Sequence, residues 1–174
     1  MKNKILQSAK ALSRLMQLGY LLLILLYLYL LMTPVFDWSL PAALASGEHN
    51  WLLIDVSEAQ ELFSSTFNII FFSIRAIILS SLLILSLQSL IKIISSINSL
   101  SAFQMESGKH FTRVGIFMFV SFIVTILEFN YANHDLTVTF SLELQYLLLA
   151  ILSWVLAEVF KEGNRLWEDN QLTI

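Results

Sequence analysis

The sequence contains no cysteine, which excludes disulfides, thiolate metal sites and cysteine nucleophiles. Two prolines and five glycines in 174 residues exclude collagen-like and low-complexity architectures. Charge is also scarce: 13% of residues are charged, against about 25% in an ordinary soluble domain. The net charge of −3 offers no basic field, so no direct nucleic-acid partner is expected. There is no HExxH, GxSxG or P-loop motif. Apolar residues, by contrast, are abundant: they make up 57% of the chain, and the mean hydropathy is +0.74. A chain this short cannot cover that much apolar surface in water, so its partner is the lipid bilayer. The expectation is a single membrane domain over residues 1–174.

Four apolar runs are present. The first, Leu15 to Met32, has 18 uncharged residues, enough for about 27 Å of helix against a hydrocarbon core of about 30 Å. A signal peptide is the competing reading, because Ala43-Leu44-Ala45 resembles a cleavage site. The apolar core exceeds the usual length of about 7–15 residues, and Trp38 and Pro41 intervene, so a retained helix is favoured. The second run covers 67–94 and contains Arg75. The third covers 111–129 and reaches full length only by including Phe111 and Phe129. The fourth covers 142–160, with Glu143 and Glu158 near its ends. The fold class is therefore all-α membrane, with four transmembrane helices.

Orientation follows from the basic residues. Lys2, Lys4, Lys10 and Arg14 precede the first span, Lys92, Lys109 and Arg113 accompany the loop near 95–110, and Lys161 and Arg165 lie in the tail 161–174. That places nine on one side, with Arg75 alone inside a span entered from the other. The positive-inside rule puts both termini and the middle loop in the cytoplasm, as in a multi-pass inner-membrane protein. Acids add little to topology, but Asp37, Glu48, Asp55, Glu58, Glu61, Glu128, Asp135 and Glu143 make the outer segments acidic.

The long first outer segment includes "WLLIDV", Trp51 to Val56, and Ser57 with Gln60 in capping-box spacing, so the second helix is expected to begin before the membrane. In "DLTVTF", Leu136, Val138 and Phe140 alternate with Thr137 and Thr139, which is strand periodicity. Two short extracytoplasmic strands pairing across the top of the helices are one arrangement these segments allow.

On the inner side, the loop "NSLSAFQMESGKHFTRVG" allows a capping box at Ser101 and Gln104 and a short helix on the inner leaflet. In the tail, Glu158, Glu162 and Arg165 have spacings that carry a helix out of the bilayer. These two segments resemble those of a bacterial family, domain-of-unknown-function family 2975. The loop of that family has a "PF-T-x-E-N" start, a basic stretch and a glycine entering the next span. Phe103, Glu106, Arg113 and Gly115 match it, while Ala102, Gln104 and Ser107 replace its Pro, Thr and Asn. The tail follows the family ending "LAEVF-x-x-G-x-x-L-x-x-D-x-x-L-T" at Leu156 to Phe160, Gly163, Leu166, Asp169, Leu172 and Thr173. The resemblance implies a four-helix bacterial membrane protein with cytoplasmic termini. Genes of such proteins often lie beside a small helix-turn-helix regulator, which implies a cytoplasmic transcription regulator as partner. It carries over no catalytic residue.

Two groups of residues stand out. Arg75 lies about 12 Å along a helix entered at Phe67, where a charge is costly unless paired or snorkelling. Glu128 and Glu143 belong to the same outer half, so the three form a candidate intramembrane polar cluster. A structural ion pair is favoured over a ligand site. The second group is a candidate partner surface on the inner side: Phe103, Glu106, Lys109, Arg113, Phe160, Glu162, Arg165, Trp167 and Asp169. Headgroup anchoring explains its aromatics equally well. Glu158 is read as pairing with Lys161, Lys92 or Arg113 rather than as a proton relay. His49 and His134 fall outside and His110 inside, so three-histidine metal chemistry cannot assemble across the bilayer; His49 and His134 with the outer acids are read as solvated loop residues rather than a weak metal site, and no cofactor is expected.

The leading expectation is a non-enzymatic regulatory or sensory membrane protein. The rival is a small transporter, channel or immunity-type protein built on Arg75, Glu128 and Glu143, conducting only as a homo-oligomer. The orientation is directly testable. Reporter fusions after Gly47 and Asn133 should report the outside, and fusions after Ser107 and Ile174 the inside; one fusion on the wrong side breaks the topology.

Overall fold

The computed structural model describes residues 4–36, 65–98, 105–132 and 135–171. Four long helices and one hairpin follow in chain order: α1 (Lys4–Phe36), α2 (Thr66–Asn98), α3 (Met105–Ile126), β1 (Leu127–Ala132), β2 (Asp135–Phe140) and α4 (Leu144–Gln171). All four helices are long and apolar enough to cross a membrane. The readings on "WLLIDV", the Ser57 and Ser101 caps, Phe103 and His134 fall outside the described residues.

The pattern of burial is that of a protein dissolved in lipid. The largest fully buried side chains are all serines, Ser73, Ser86, Ser107 and Ser121. Leu22, Leu25, Leu148 and Val155 are each more than half exposed. With lipid outside, the helices gain nothing by hiding leucine. They associate through close backbone approach and hydrogen bonds, which small residues permit.

The helices pack in chain order, α1 on α2, α2 on α3 and α3 on α4. Lys10 Nζ donates to Ser95 Oγ at 3.2 Å, Gln17 Nε2 donates to the Ile84 carbonyl at 3.4 Å, and Tyr27 meets Phe72 edge-on, which sets α1 antiparallel to α2. Ser96 and Ser107 share a hydroxyl hydrogen bond of 3.0 Å between α2 and α3. Val114, Met118 and Ala150 form an apolar core against Leu83, Leu90 and Tyr146.

Two helix ends have a local cause. Ser65 caps α2, its Oγ accepting from the Phe67 amide at 3.3 Å. Pro34 sits in the last turns of α1 and lacks the N–H that would bond the Leu30 carbonyl. The Thr33 hydroxyl donates to that carbonyl at 2.7 Å instead, so it is not left bare.

One sequence expectation needs correction, and the expected pair of short strands is present. The third span, counted over 111–129, is helical from Met105 and stops at Ile126, so residues 127–129 are strand. "DLTVTF" is a strand, and its partner is the adjacent "LEFNYA", in the register Leu127↔Phe140 to Ala132↔Asp135. The Ser141 amide donates to the Ile126 carbonyl at 3.0 Å and closes the base of the hairpin.

α3 and α4 meet through glycine. An added Cβ at Gly115 would lie 2.5 Å from Trp154 Cδ1, and one at Gly108 would lie 3.2 Å from the Ala157 carbonyl. The two glycines are two turns apart on one face of α3. Gly115→Val should lower unfolding stability in micelles by about 1–3 kcal/mol through overpacking. Adding Trp154→Ala should recover part of that loss; strictly additive losses would refute the contact.

Candidate functional site

The structure brings Arg75 and Glu128 together. Arg75 is on α2, nine residues after Thr66, and Glu128 is the second residue of β1. Arg75 Nη1 lies 3.2 Å from Glu128 Oε1. Its Nη2 donates to the Thr125 carbonyl at 3.0 Å, near the C-terminal end of α3. The Arg75 side chain is 15% exposed and that of Glu128 is 47% exposed. The cation is thus the sequestered member and the acid the wetter one. Glu143 is not part of this pair. It precedes α4, and its Oε2 accepts from Gln145 Nε2 at 2.5 Å.

A residue the sequence reading passed over completes the site. Asn68, 3% exposed, lies two turns before Arg75 on the same face of α2. Its Oδ1 accepts from the Tyr131 amide at 2.7 Å and its Nδ2 donates to the Tyr131 carbonyl at 3.0 Å. Tyr131 sits opposite Leu136. Ile126 and Ser141 form a hydrogen-bonded pair, and bonded pairs alternate along an antiparallel ladder, so Tyr131 and Leu136, five positions on, are a non-hydrogen-bonded pair and the Tyr131 backbone groups point away from β2. The Asn68 amide pairs with that edge as a neighbouring strand would. Phe71 meets Phe129 and Phe67 meets Tyr131, both edge-on, with ring centroids 5.0 and 6.3 Å apart. Because α2 runs along the edge of β1, it receives Phe129 from one face and Glu128 from the other. An uncharged polar residue near the start of the apolar run, seven before the arginine, was the signal available in the sequence.

The second group assembles at the opposite end, where α3 begins and α4 finishes. Phe111 and Phe160 stack with centroids 5.1 Å apart, and both are half-buried. They therefore spend part of their apolar surface on each other. Lys109, Arg113, Glu162, Arg165 and Asp169 are exposed on the two helices. Glu158 pairs with Lys161 at 3.0 Å, and Arg165 with Glu162 at 3.9 Å. Such exposed pairs stabilise by at most about 1 kcal/mol. Glu106 and Trp167 belong to α3 and α4 by their backbone.

Comparison with known families matches residues 51–174 to the family described as Protein of unknown function (DUF2975). The chain belongs to this family. The match takes in α2, the hairpin, α3 and α4, while α1 lies outside it. No curated protein and no solved structure matches the chain. With its four apolar helices, the chain is a multi-pass membrane protein of a family whose function is uncharacterised.

The burial asymmetry of the ion pair sets an order of effects. Glu128→Gln leaves a sequestered cation without its counter-charge, whereas Arg75→Gln leaves a carboxylate that water already reaches. Glu128→Gln should therefore destabilise more, by about 1–2 kcal/mol given its partial exposure. Asn68→Ala orphans both Tyr131 backbone groups and should cost about 1–3 kcal/mol. Chemical unfolding in micelles ranks the three, and an Arg75→Gln cost above that of Glu128→Gln would refute the asymmetry.

Proposed function

We propose that this is a non-enzymatic inner-membrane protein that acts as the regulatory or sensory partner of a soluble cytoplasmic protein, such as a small helix-turn-helix regulator. Both termini are cytoplasmic in this reading, and the working surface is the end where α3 starts and α4 finishes. The observation that carries it is the Phe111–Phe160 stack. It holds two segments distant in sequence side by side and leaves Lys109, Arg113, Glu162 and Arg165 facing outward. The helix of α4 runs on to Gln171, five residues past the end of its apolar span at Leu166. A rigid surface with charges of both signs suits a protein partner better than a phosphate backbone, which selects one sign.

The transporter reading needs Arg75, Glu128 and Glu143 to converge on a substrate. Arg75 is instead engaged by Glu128 and the Thr125 carbonyl, and Glu143 by Gln145. That arrangement supports a structural lock more than a conduction site.

A pull-down from membranes tests the proposal, comparing wild type with the Glu162→Lys, Arg165→Glu double variant. The exchange conserves net charge and the opposite signs of the pair while reversing the charge order that a partner meets. Wild type should retain a soluble DNA-binding protein and the variant should lose it, with helicity unchanged. Absence of any specific soluble partner for the folded wild type would sink the regulatory reading and move weight to transport.

A further inference from the structure

We propose that the exposed seam between α1 and α2, at the end where α1 begins and α2 finishes, binds the headgroup of an anionic membrane phospholipid through Lys10, Arg14, Gln88 and Lys92. This goes beyond the protein-binding role and uses the other pair of helices. Two contacts fix the seam: Lys10 Nζ donates to Ser95 Oγ, and Gln17 Nε2 donates to the Ile84 carbonyl. On α1, Lys10, Arg14 and Gln17 follow at spacings of four and three, so they form one stripe. On α2, Ile84, Gln88 and Lys92 follow at spacings of four, with Ser95 three further on. The two stripes touch at both ends. The residues between those ends, Arg14 on one helix and Gln88 and Lys92 on the other, therefore flank the same seam. All three are exposed, and among the described residues none of them makes a hydrogen bond or an ion pair.

What the seam lacks decides its partner. Neither α1 nor α2 contains an Asp or Glu anywhere in its 33 residues. On α4, by contrast, Lys161 is matched by Glu158 and Arg165 by Glu162. Lys10, Arg14 and Lys92 have no such acid, so their positive potential is left for a ligand. Lys10 is half-buried and already held by Ser95, which orders one wall of the site. Gln88 lies about 33 Å along α2 from Thr66. With Thr66 at one boundary of a hydrocarbon core of about 30 Å, Gln88 and Lys92 reach the other boundary, where phosphates lie. Deeper on the same side, Leu18 and Leu21 of α1 are 62% and 54% exposed, and Leu85 of α2 is 42% exposed. Leu18 follows Arg14 by one turn, Leu21 by two, and Leu85 precedes Gln88 by one. A phospholipid offers a phosphate to the cations and an acyl chain to those leucines, in that order. A free phosphate or a nucleic acid would use the cations and leave the leucines bare.

The test uses delipidated full-length protein in detergent and native mass spectrometry. The titrants are phosphatidylglycerol, phosphatidylcholine with the same chains, and inorganic phosphate. Each cation beside an anionic headgroup is worth about fivefold, so wild type should bind phosphatidylglycerol at least about tenfold more tightly than phosphatidylcholine. Phosphate at equal concentration should not displace it. The Arg14→Gln, Lys92→Gln double variant should bring the two lipids to within about twofold of each other. Both residues are exposed, so its helicity should be unchanged. Either single variant should lose part of the preference and serves if the pair does not fold. Lys161→Gln removes one charge from α4 and should keep the wild-type preference. Equal affinity of wild type for the two lipids, displacement by phosphate, or a loss of preference in Lys161→Gln as large as in Lys92→Gln would each overturn the proposal.

Discussion

In hydrocarbon no water is present to complete a broken hydrogen bond, so a polar group within a span gains most by finding its partner inside the protein, and a few, such as the Ser73 and Ser86 hydroxyls, stay buried without one. That constraint shapes this molecule from end to end. It accounts for the Thr33 hydroxyl on the carbonyl released by Pro34, and for Ser81, Ser89, Ser95 and Ser121 bonding back to the carbonyl one turn earlier. It also accounts for the α3–β1 junction. Where α3 stops at Ile126 its final carbonyls need donors, and the Arg75 guanidinium takes the one at Thr125. The hairpin that follows exposes the edge of β1, and Asn68 pairs with it at Tyr131. Two polar residues of α2, two turns apart, thus supply what an unpaired strand edge and a helix end lack.

The same constraint explains why the ion pair reads as structure rather than chemistry. A lone arginine well inside an apolar run is expensive. Here its cost is offset by a carboxylate and a backbone carbonyl, and the offset requires that α2, α3 and β1 be held in one arrangement. The aromatic contacts of Phe67 and Phe71 with Tyr131 and Phe129 surround that arrangement with apolar bulk. At the other end the joining is done by stacking and small residues, Phe111 on Phe160 and Gly108 beside Ala157, with charges left outward. The two ends therefore differ in kind: one is a closed polar lock and the other an exposed charged surface.

How much was legible in the sequence depended on how local each feature is. Four apolar runs, the strand alternation of "DLTVTF" and the anomaly of Arg75 are properties of short stretches, readable without knowing what lies opposite. The strand "LEFNYA" has the same alternation, with Leu127, Phe129 and Tyr131 against Glu128 and Asn130. It was hidden because a short third span appeared to need Phe129 to reach full length. Once those residues are strand, the hairpin is built from neighbours and does not require a distant segment.

The sequence by itself determined that the chain lives in a membrane and that it has four apolar helices, because hydropathy summed over about 20 residues outweighs any single contact. It also determined that Arg75 would need a partner. Only the tertiary structure decided that the partner is Glu128 and not Glu143, because that choice depends on the residue at which α3 ends and the chain turns along α2. It also decided that Asn68 closes the edge of a strand and that Gly115 makes room for Trp154. Each of these is a meeting of residues far apart in the chain, and a meeting is set by the packing of whole helices rather than by the identity of either residue.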